Sequence, residues 1–578
     1  MPQTGARHRP SHAPRGADPA DGIPRPQGGP NQPPPLQDYD VFTSDRPLVE
    51  ALEREGGGWA REQLGELGAV AGSAEAIRLG QLANTNPPVL RSHDRYGNRI
   101  DEVDFHPAWH ELMAIAVGRG LDAAPWREPG PGAHVARAAG FICMAQVDGG
   151  ICCPIGGTYA AIPALRVQPE LAAEWEPRLS SPVYDGRSLP SEEKAGSLCA
   201  MGMTEKQGGS DVRANATEAV PLNGGGPAAE YELNGHKWFF SAPMCDVFLI
   251  LAQAPGGLSC FLVPRFTPDG DRNGLHLQRL KDKLGNRSNA SSELELDRAW
   301  GRLVGEEGRG VPTIIEMVNH TRLDCVLGTA GGLRLGTAQA IHHARHRSAF
   351  GKLLVDQPLM QNVLADLAIE SEAATIAGMW LARIYDHSHA AQATDRGGEE
   401  RSAKLLRRLS TPVLKYWICK RAPWHAVEAL ECLGGNGYVE ESGMPRLLRE
   451  SPLQSIWEGA GNVQALDVLR AMISRPESIS EFLAEVEQAR GIDARLDRHV
   501  EQLRAELGEI EGIEARARRI VEAMALALQG SLLVRFGDAA VADAFCASRL
   551  AGDQGGAFGT LPAGVEMGRI IERHAPAP

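Results

Sequence analysis

No apolar run in this chain approaches the ~18 residues that a membrane-spanning helix needs, and the N-terminal stretch has no apolar core of the kind that directs secretion. Cysteine is sparse and scattered: ten in 578 residues, only Cys152 and Cys153 adjacent, and no C-x-x-C. This excludes a disulfide scaffold and a zinc ribbon and reads as reduced, mostly buried thiols in a cytoplasmic protein. Neither G-x-G-x-x-G nor G-x-x-x-x-G-K-[ST] occurs, so a Rossmann dinucleotide site and a P-loop are not supported. There is no internal repeat and no heptad run long enough for an extended coiled coil. Positive charge is also short. With 59 Lys plus Arg against 73 Asp plus Glu, the net charge is −14, which the phosphate field of nucleic acid repels unless basic groups are segregated on one face. His106 and His110 have the i,i+4 spacing of a zinc pair but lack the H-E-x-x-H glutamate. They read as a structural pair, and no metal is expected.

What is present is ordinary globular composition, 43% hydrophobic and 23% charged, enough for a sizeable core. Residues 1–36 hold ten of the 39 prolines, with Met1, Ile23 and Leu36 as the only bulky apolar residues. Such a segment cannot offset its ordering entropy, so residues 1–38 are expected to be a disordered tail. Residues 39–197 show interrupted helical periodicity, as in "FHPAWHELMAIAVGRGL". From residue 198 to 304 short aromatic and β-branched runs such as "VFLILAQAP" and "LSCFLVPRF", punctuated by Gly, Pro and Asn, predict strands. Helical periodicity returns over 305–475 as a helix bundle and continues over 476–578 as an extra C-terminal helical domain. The expected fold is mainly α with a central β domain.

Four segments carry chemistry. In "MGMTEKQGGSDV", Thr204 and Ser210 bracket Gly208 and Gly209, where backbone can approach a ligand and successive N–H groups can form an anion nest. In "NGHKWFFSAP", a turn signal precedes an aromatic strand, and alternation places Phe239 and Ser241 on one face, Trp238 and Phe240 on the other. In "ARHRSAFGK", Arg347 can grip a phosphate with two parallel hydrogen bonds. In "LECLGGNGYVEESGMPRLLRESPLQSIWEGAGN", a tight glycine turn is followed by Glu458 between Trp457 and Gly459. A carboxylate partly desolvated by an indole has its pKa raised from about 4.3, as a carbon-acid base requires. Each segment alone is weak, since a glycine turn, a core strand, a surface arginine and a solvated glutamate are the ordinary readings.

In this order the four, with "GEEGRG" between the second and third, resemble the acyl-CoA dehydrogenase family. "LANTNPPVL", "GGLSCFLVPRF" and "RLKDKLGNRSNASSELE" extend the likeness to its AidB-like subgroup, flavoproteins linked to alkylation damage, over about residues 40–578. The resemblance implies an α–β–α core with an added C-terminal domain, FAD as cofactor and a homotetramer. It implies that Met201, Met203, Thr204, Gly208, Gly209 and Ser210 contact the flavin and its phosphates, and that Phe239, Phe240 and Ser241 flank the ring. Arg347 with Phe350 would reach the FAD of a neighbouring subunit, and Gly434 and Gly435 would lie under its adenine half. Ile456, Trp457 and Asn462 would flank the flavin or its tail. Glu458 would be the base, taking the proton alpha to a thioester carbonyl. The likeness also implies weak isovaleryl-type dehydrogenase activity, an acyl-CoA-like or alkylating small molecule as ligand, and double-stranded DNA binding by the C-terminal domain.

The chain departs from the family pattern in places. Where some members carry their base on another helix, this chain has Thr321, leaving Glu458 as the candidate. Ala460 and Asn462 replace the usual Thr and Gln, and Trp457 is larger than the usual Tyr and narrows the cavity. From Arg475 onward there are 12 Arg and no Lys against 17 Asp plus Glu, with Arg516, Arg518 and Arg519 clustered and Arg495 near Arg498. Two rival readings follow: a metabolic short- or branched-chain dehydrogenase feeding an electron-transfer flavoprotein, and a DNA-binding shield in which the flavin is structural.

Overall fold

The computed structural model describes residues 31–389 and 397–577. The tail expected over 1–38 lies outside the described residues as far as Pro30. Beyond it, the expectation is corrected: residues 31–38 are placed, with Leu36 buried in the core.

The N-terminal unit is helical, ending in α1 (Ala133–Ala145), α2 (Cys152–Leu165) and α3 (Pro169–Leu179). It also contains a hairpin, Val89–His93 paired with Arg99–Asp104, that the sequence reading did not anticipate. None of the hairpin's residues is fully buried, so its hydrophobic pattern is faint. His106 caps the helix that follows, its Nδ1 accepting from the Ala108 N–H, and His110 meets the Tyr184 hydroxyl at 2.7 Å.

The β unit has seven strands: β1 (Cys199–Gly202), β2 (Glu218–Pro221), β3 (Glu230–Ser241), β4 (Val247–Ala254), β5 (Gly257–Pro264), β6 (Leu275–Leu280) and β7 (Ser291–Val304). β4, β2, β3, β7 and β5 pair in turn, and β5 closes back on β4 to make a barrel, with β1 parallel to β4 and β6 antiparallel to β7 at its margins. Closure removes the free edges of the five ring strands, while β1 and β6 each pair on one side only. β4 is apolar at nearly every position because both of its faces are covered. Phe248 and Ile250 belong to the main core, while Val247, Leu249 and Leu251 meet α2, α3 and the first turns of the next helix. The barrel is therefore fixed rigidly to the N-terminal unit.

Three long helices follow, α4 (Gly310–His346), α5 (Pro358–His389) and α6 (Gly397–Cys432), and pack mutually into the bundle, with α7 (Gly461–Ser474) on α6. The C-terminal unit lies over them through α8 (Ile513–Phe536), which touches α5, α6 and α7. A terminal helix, α9 (Met567–His574), is held on α5 where Arg573 and His574 meet Glu372 at 2.9 Å each.

Candidate active site

Glu458 sits in the turn between the bundle helices α6 and α7, with left-handed backbone (φ +57°). A non-glycine residue there is strained, and such strain persists only where the surroundings over-determine it. Here they do. Lys415, fully buried on α6, donates to the Trp457 carbonyl at 2.7 Å and the Gly459 carbonyl at 2.5 Å. Arg322 on α4 donates to the Glu458 carbonyl at 3.0 Å and is itself held by Asp467 at 2.7 Å. Gln464 on α7 donates to the carbonyls of Glu458 and Gly459 at 2.9 and 3.0 Å. Gly459 has φ +103°, and a Cβ there would meet Gln464 Nε2 at 2.5 Å, so only glycine fits.

The Glu458 side chain is partly covered as a whole, but its Oε2 is shielded from water and has no hydrogen-bond partner. Burial raises its pKa above the ordinary carboxylate value. The Thr321 hydroxyl, Arg322 and Lys415 oppose that shift without cancelling it. A desolvated carboxylate with one oxygen unpaired, on a fixed backbone, is the arrangement a proton-abstracting base requires.

The strand side is built differently from simple alternation. The β3–β7 register slips between Lys237 and Phe240, and this bulge turns both Trp238 and Phe239 toward Lys281, whose Nζ lies 3.7 and 4.4 Å from the two ring centroids. Phe239 is 51% exposed, whereas Phe240 is 1% exposed and packs on Phe248 at 4.5 Å between centroids. Phe240 is thus a core residue of the barrel rather than a wall of the site, a correction to its expected flanking role. Ser241 Oγ lies 3.4 Å from Ser291 Oγ, which accepts from Lys283 at 3.1 Å. Lys283 also donates to the Asn289 carbonyl. Asn289, Lys283 and Glu458 all act on the Cys153 thiol, which burial pushes up to about 11. Lys283 and Ser291 thus tie loop 283–291 to the Ser241 face of β3.

Loop 203–210 is pinned to the same strand. Trp238 N–H donates to the Thr204 carbonyl at 2.8 Å, and a Cβ on Gly209 would meet Thr204 Oγ1 at 2.6 Å. Met201 and Met203 are half-buried against the α2–α3 core, Gly208 is half-buried, and Gly209 and Ser210 are exposed. Under the loop, Glu205 and Lys237 form a fully buried ion pair at 2.6 Å, with Thr217 Oγ1 donating to the same carboxylate at 2.6 Å. Ile456 and Asn462 are exposed, and Trp457 is half-buried with its indole N–H donating to Gln454 at 2.8 Å.

Arg347 and the Gly434–Gly435 turn meet through residues 31 and 32, the Asn31 carbonyl accepting from Arg347 and Gln32 from Asn436, with Phe350 exposed in the loop after Arg347. They form a second cluster, and among the described residues no hydrogen bond or ion pair joins it to the first. Sequence reasoning missed Lys415, Arg322, Gln464, the Glu205–Lys237 pair and Lys283. A lone lysine in the apolar stretch "TPVLKYWIC" was the available signal for the first.

The first cluster fits a flat, redox-active ring such as the isoalloxazine of FAD. It offers an exposed aromatic and a hydroxyl from β3, close-approaching backbone at Gly209, and a carboxylate with one shielded, unpaired oxygen. In the C-terminal domain, Arg516 pairs with Glu506 at 2.7 Å, Arg519 with the same Glu506 at 2.8 Å, and Arg495 with Asp493 and Asp543 at 2.6 and 2.7 Å. Arg518 meets the Tyr416 hydroxyl at 3.2 Å.

Comparison with known proteins agrees with this layout. The adaptive response protein AidB N-terminal domain matches residues 31–186, the acyl-CoA dehydrogenase middle domain 200–299, and the acyl-CoA dehydrogenase C-terminal domain 308–473. AidB of Escherichia coli (strain K12) is 47% identical over 477 residues, covering 82% of this chain and 85% of that one. The solved structure of Caenorhabditis elegans ACDH-11 in complex with C11-CoA matches with a TM-score of 0.81 at 28% identity, over 91% of this chain and 94% of that one. A Bacillus anthracis acyl-CoA dehydrogenase complexed with FAD shares the fold, with a TM-score of 0.60 at 20% identity over 77% and 78% of the two chains. The chain belongs to the acyl-CoA dehydrogenase family of FAD-dependent oxidoreductases acting on CH–CH groups, in its AidB-like branch.

Proposed function

We propose that this protein binds FAD and dehydrogenates short or branched acyl-CoA thioesters, with Glu458 as the base, in the protective role against alkylation that the AidB likeness implies. The carrying observation is the Glu458 carboxyl, its Oε2 shielded and unpaired, set on strained backbone by three donors from three helices. FAD, when bound, would supply the acceptor for the hydride leaving the thioester β-carbon. Met203, Thr204, Phe239, Ser241 and Trp457 would hold its ring. Glu458 takes the α-proton onto a carboxylate oxygen, and the half-buried Trp457 keeps water from competing for it. Arg347 and the Gly434–Gly435 turn would hold the adenine half of a neighbouring subunit's cofactor. Phe350 is 99% exposed, and Leu359 and Tyr438 are 85% and 82% exposed. Large apolar side chains left bare in one chain favour association with further copies, as in a homotetramer.

Anaerobic mixing of the FAD-loaded protein with a panel of acyl-CoA thioesters tests this reading. At least one short branched member is expected to bleach the visible flavin band, and a panel with no bleaching contradicts it. The pH dependence carries a sign. The base works ionised and its pKa is raised, so the bleaching rate falls on the acid side around a midpoint above the ordinary 4.5. Lys415→Met, which takes the Lys415 donor from the Trp457 and Gly459 carbonyls, is expected to slow bleaching by about tenfold or more while FAD stays bound. An unchanged rate would remove Lys415 as the residue that positions Glu458.

Duplex DNA binding by the C-terminal domain has little free charge behind it, since Arg495, Arg516 and Arg519 are each committed to carboxylates of that same domain. Among the described residues no helix is long and apolar enough to cross a membrane. With the ten thiols free, this supports a cytoplasmic setting.

A further inference from the structure

Residues 31–36, "NQPPPL", hydrogen-bond to two segments, 347–348 and the turn at Asn436. Leu36 is buried in the core and anchors the segment. Three successive prolines fix φ and favour an extended helix rising about 3.1 Å per residue, a stiff spacer with little entropy left to lose. At its far end Asn31 closes a two-bond ring on Ser348: Nδ2 donates to the Ser348 carbonyl at 2.8 Å, and Oδ1 accepts from the Ser348 N–H at 2.7 Å. The Asn31 carbonyl accepts from Arg347 Nη1 at 2.5 Å. Gln32 Oε1 accepts from Asn436 Nδ2 at 3.1 Å, and the Pro34 carbonyl pairs with His342 Nε2 at 2.8 Å. Arg347 and Ser348 follow the end of α4, and Asn436 lies in the glycine turn after α6. Among the described residues no hydrogen bond runs directly between 347–353 and 434–438.

The cluster so assembled has the makings of a nucleotide grip. Arg347 spends Nη1 on the strap, while Nε and Nη2 make no hydrogen bond among the described residues and can take a phosphate. Gly434 and Gly435 have open space where a Cβ would stand, and Phe350 is wholly exposed, so a flat base finds bare backbone and a ring face.

We infer that Asn31–Leu36 is a positioning strap for the adenosine diphosphate half of the cofactor, fixing the spacing between the Arg347 fork and the Gly434–Tyr438 turn. The inference rests on the proposed FAD binding. Its test is the dissociation constant of FAD, read by flavin fluorescence on the full chain, for wild type, Asn31→Ala and the double variant Pro33→Gly/Pro34→Gly. The double variant keeps every side-chain hydrogen bond but removes the stiffness. Asn31→Ala is expected to weaken FAD by about tenfold through lost pre-organisation, and the proline variant by a few-fold, with unchanged thermal unfolding of the FAD-free protein. Amide exchange at 347–351 and 434–438 in the FAD-free protein should quicken in both variants. FAD affinity within twofold of wild type in both variants overturns the strap. A wild-type chain that takes up no FAD overturns the parent reading together with the strap. The two failures are told apart because in the first the wild type binds normally.

Discussion

Replacing Glu458 by Gln is expected to leave the flavin bound and to slow its bleaching by the best acyl-CoA by about 10²–10⁴-fold, the range that a positioned general base supplies. The substitution keeps the volume and the left-handed backbone, since the restraining bonds from Arg322, Gln464 and Lys415 all go to main-chain carbonyls of residues 457–459. What it removes is the capacity to accept a proton. The amide also meets the shielded position of Oε2 with a group that burial does not penalise as an ion, so stability should hold or rise. Stopped-flow absorbance under anaerobic conditions reads the effect. Turnover retained at the wild-type rate would take Glu458 out of the base role, and Thr321, which stands where other family members carry theirs, cannot replace it because a hydroxyl is no base at neutral pH.

The second large effect is on stability. Lys237→Ala would leave the Glu205 carboxylate fully buried without its cation, and breaking such a pair costs about 3–5 kcal/mol. Burial alone would raise Glu205, but Lys237 and Thr217 override it and hold the carboxyl at about 2, while burial lowers Lys237 to about 8, still cationic at neutral pH. The pH sign follows. Glu205 has a folded value below its ordinary 4.5, so its contribution is whole above that value and is lost as pH falls toward about 2. Urea unfolding followed by tryptophan fluorescence should show the loss in Lys237→Ala and much of it regained in Glu205→Leu/Lys237→Met, where neither charge is left alone. Equal midpoints for wild type and Lys237→Ala would show that the pair does not anchor loop 203–210. The pair matters for the site because that loop is fixed to β3 from below by Glu205 and from above by the Trp238–Thr204 bond.

The fold class was legible because each layer leaves its own period. The two-faced apolar run of β4 and the long helical stripes of α4, α5 and α6 are strong signals, whereas the half-exposed hairpin at 89–104 has none. The site was legible as motifs but not as a construction. "TEKQGGSD" and "NGHKW" announce a ligand loop and an aromatic strand, yet their own Glu205 and Lys237 turn out to be the buried clasp between them. Strict alternation misplaced Trp238, because a bulge leaves no mark in a strand's sequence when the inserted residue is itself aromatic. Burial pattern also misled at the N-terminus. Composition alone condemns "NQPPPL" to disorder, yet proline lowers the entropy of the unfolded chain as well, and six residues with one apolar anchor and five hydrogen bonds suffice to dock it. Lys415 and Arg322 restrain the Glu458 turn from helices remote in sequence, so the residues around Glu458 do not announce them, and Gln464, six residues on, shows its role only once α7 is placed.

The most direct measurement is a crystal structure of the protein with FAD and a non-reacting acyl-CoA thioester. The expected result is the flavin ring between Phe239–Ser241 and Trp457, with a Glu458 carboxylate oxygen about 3–3.5 Å from the thioester α-carbon. A ring bound elsewhere, or a Glu458 side chain swung into bulk water while the thioester is in place, would contradict it.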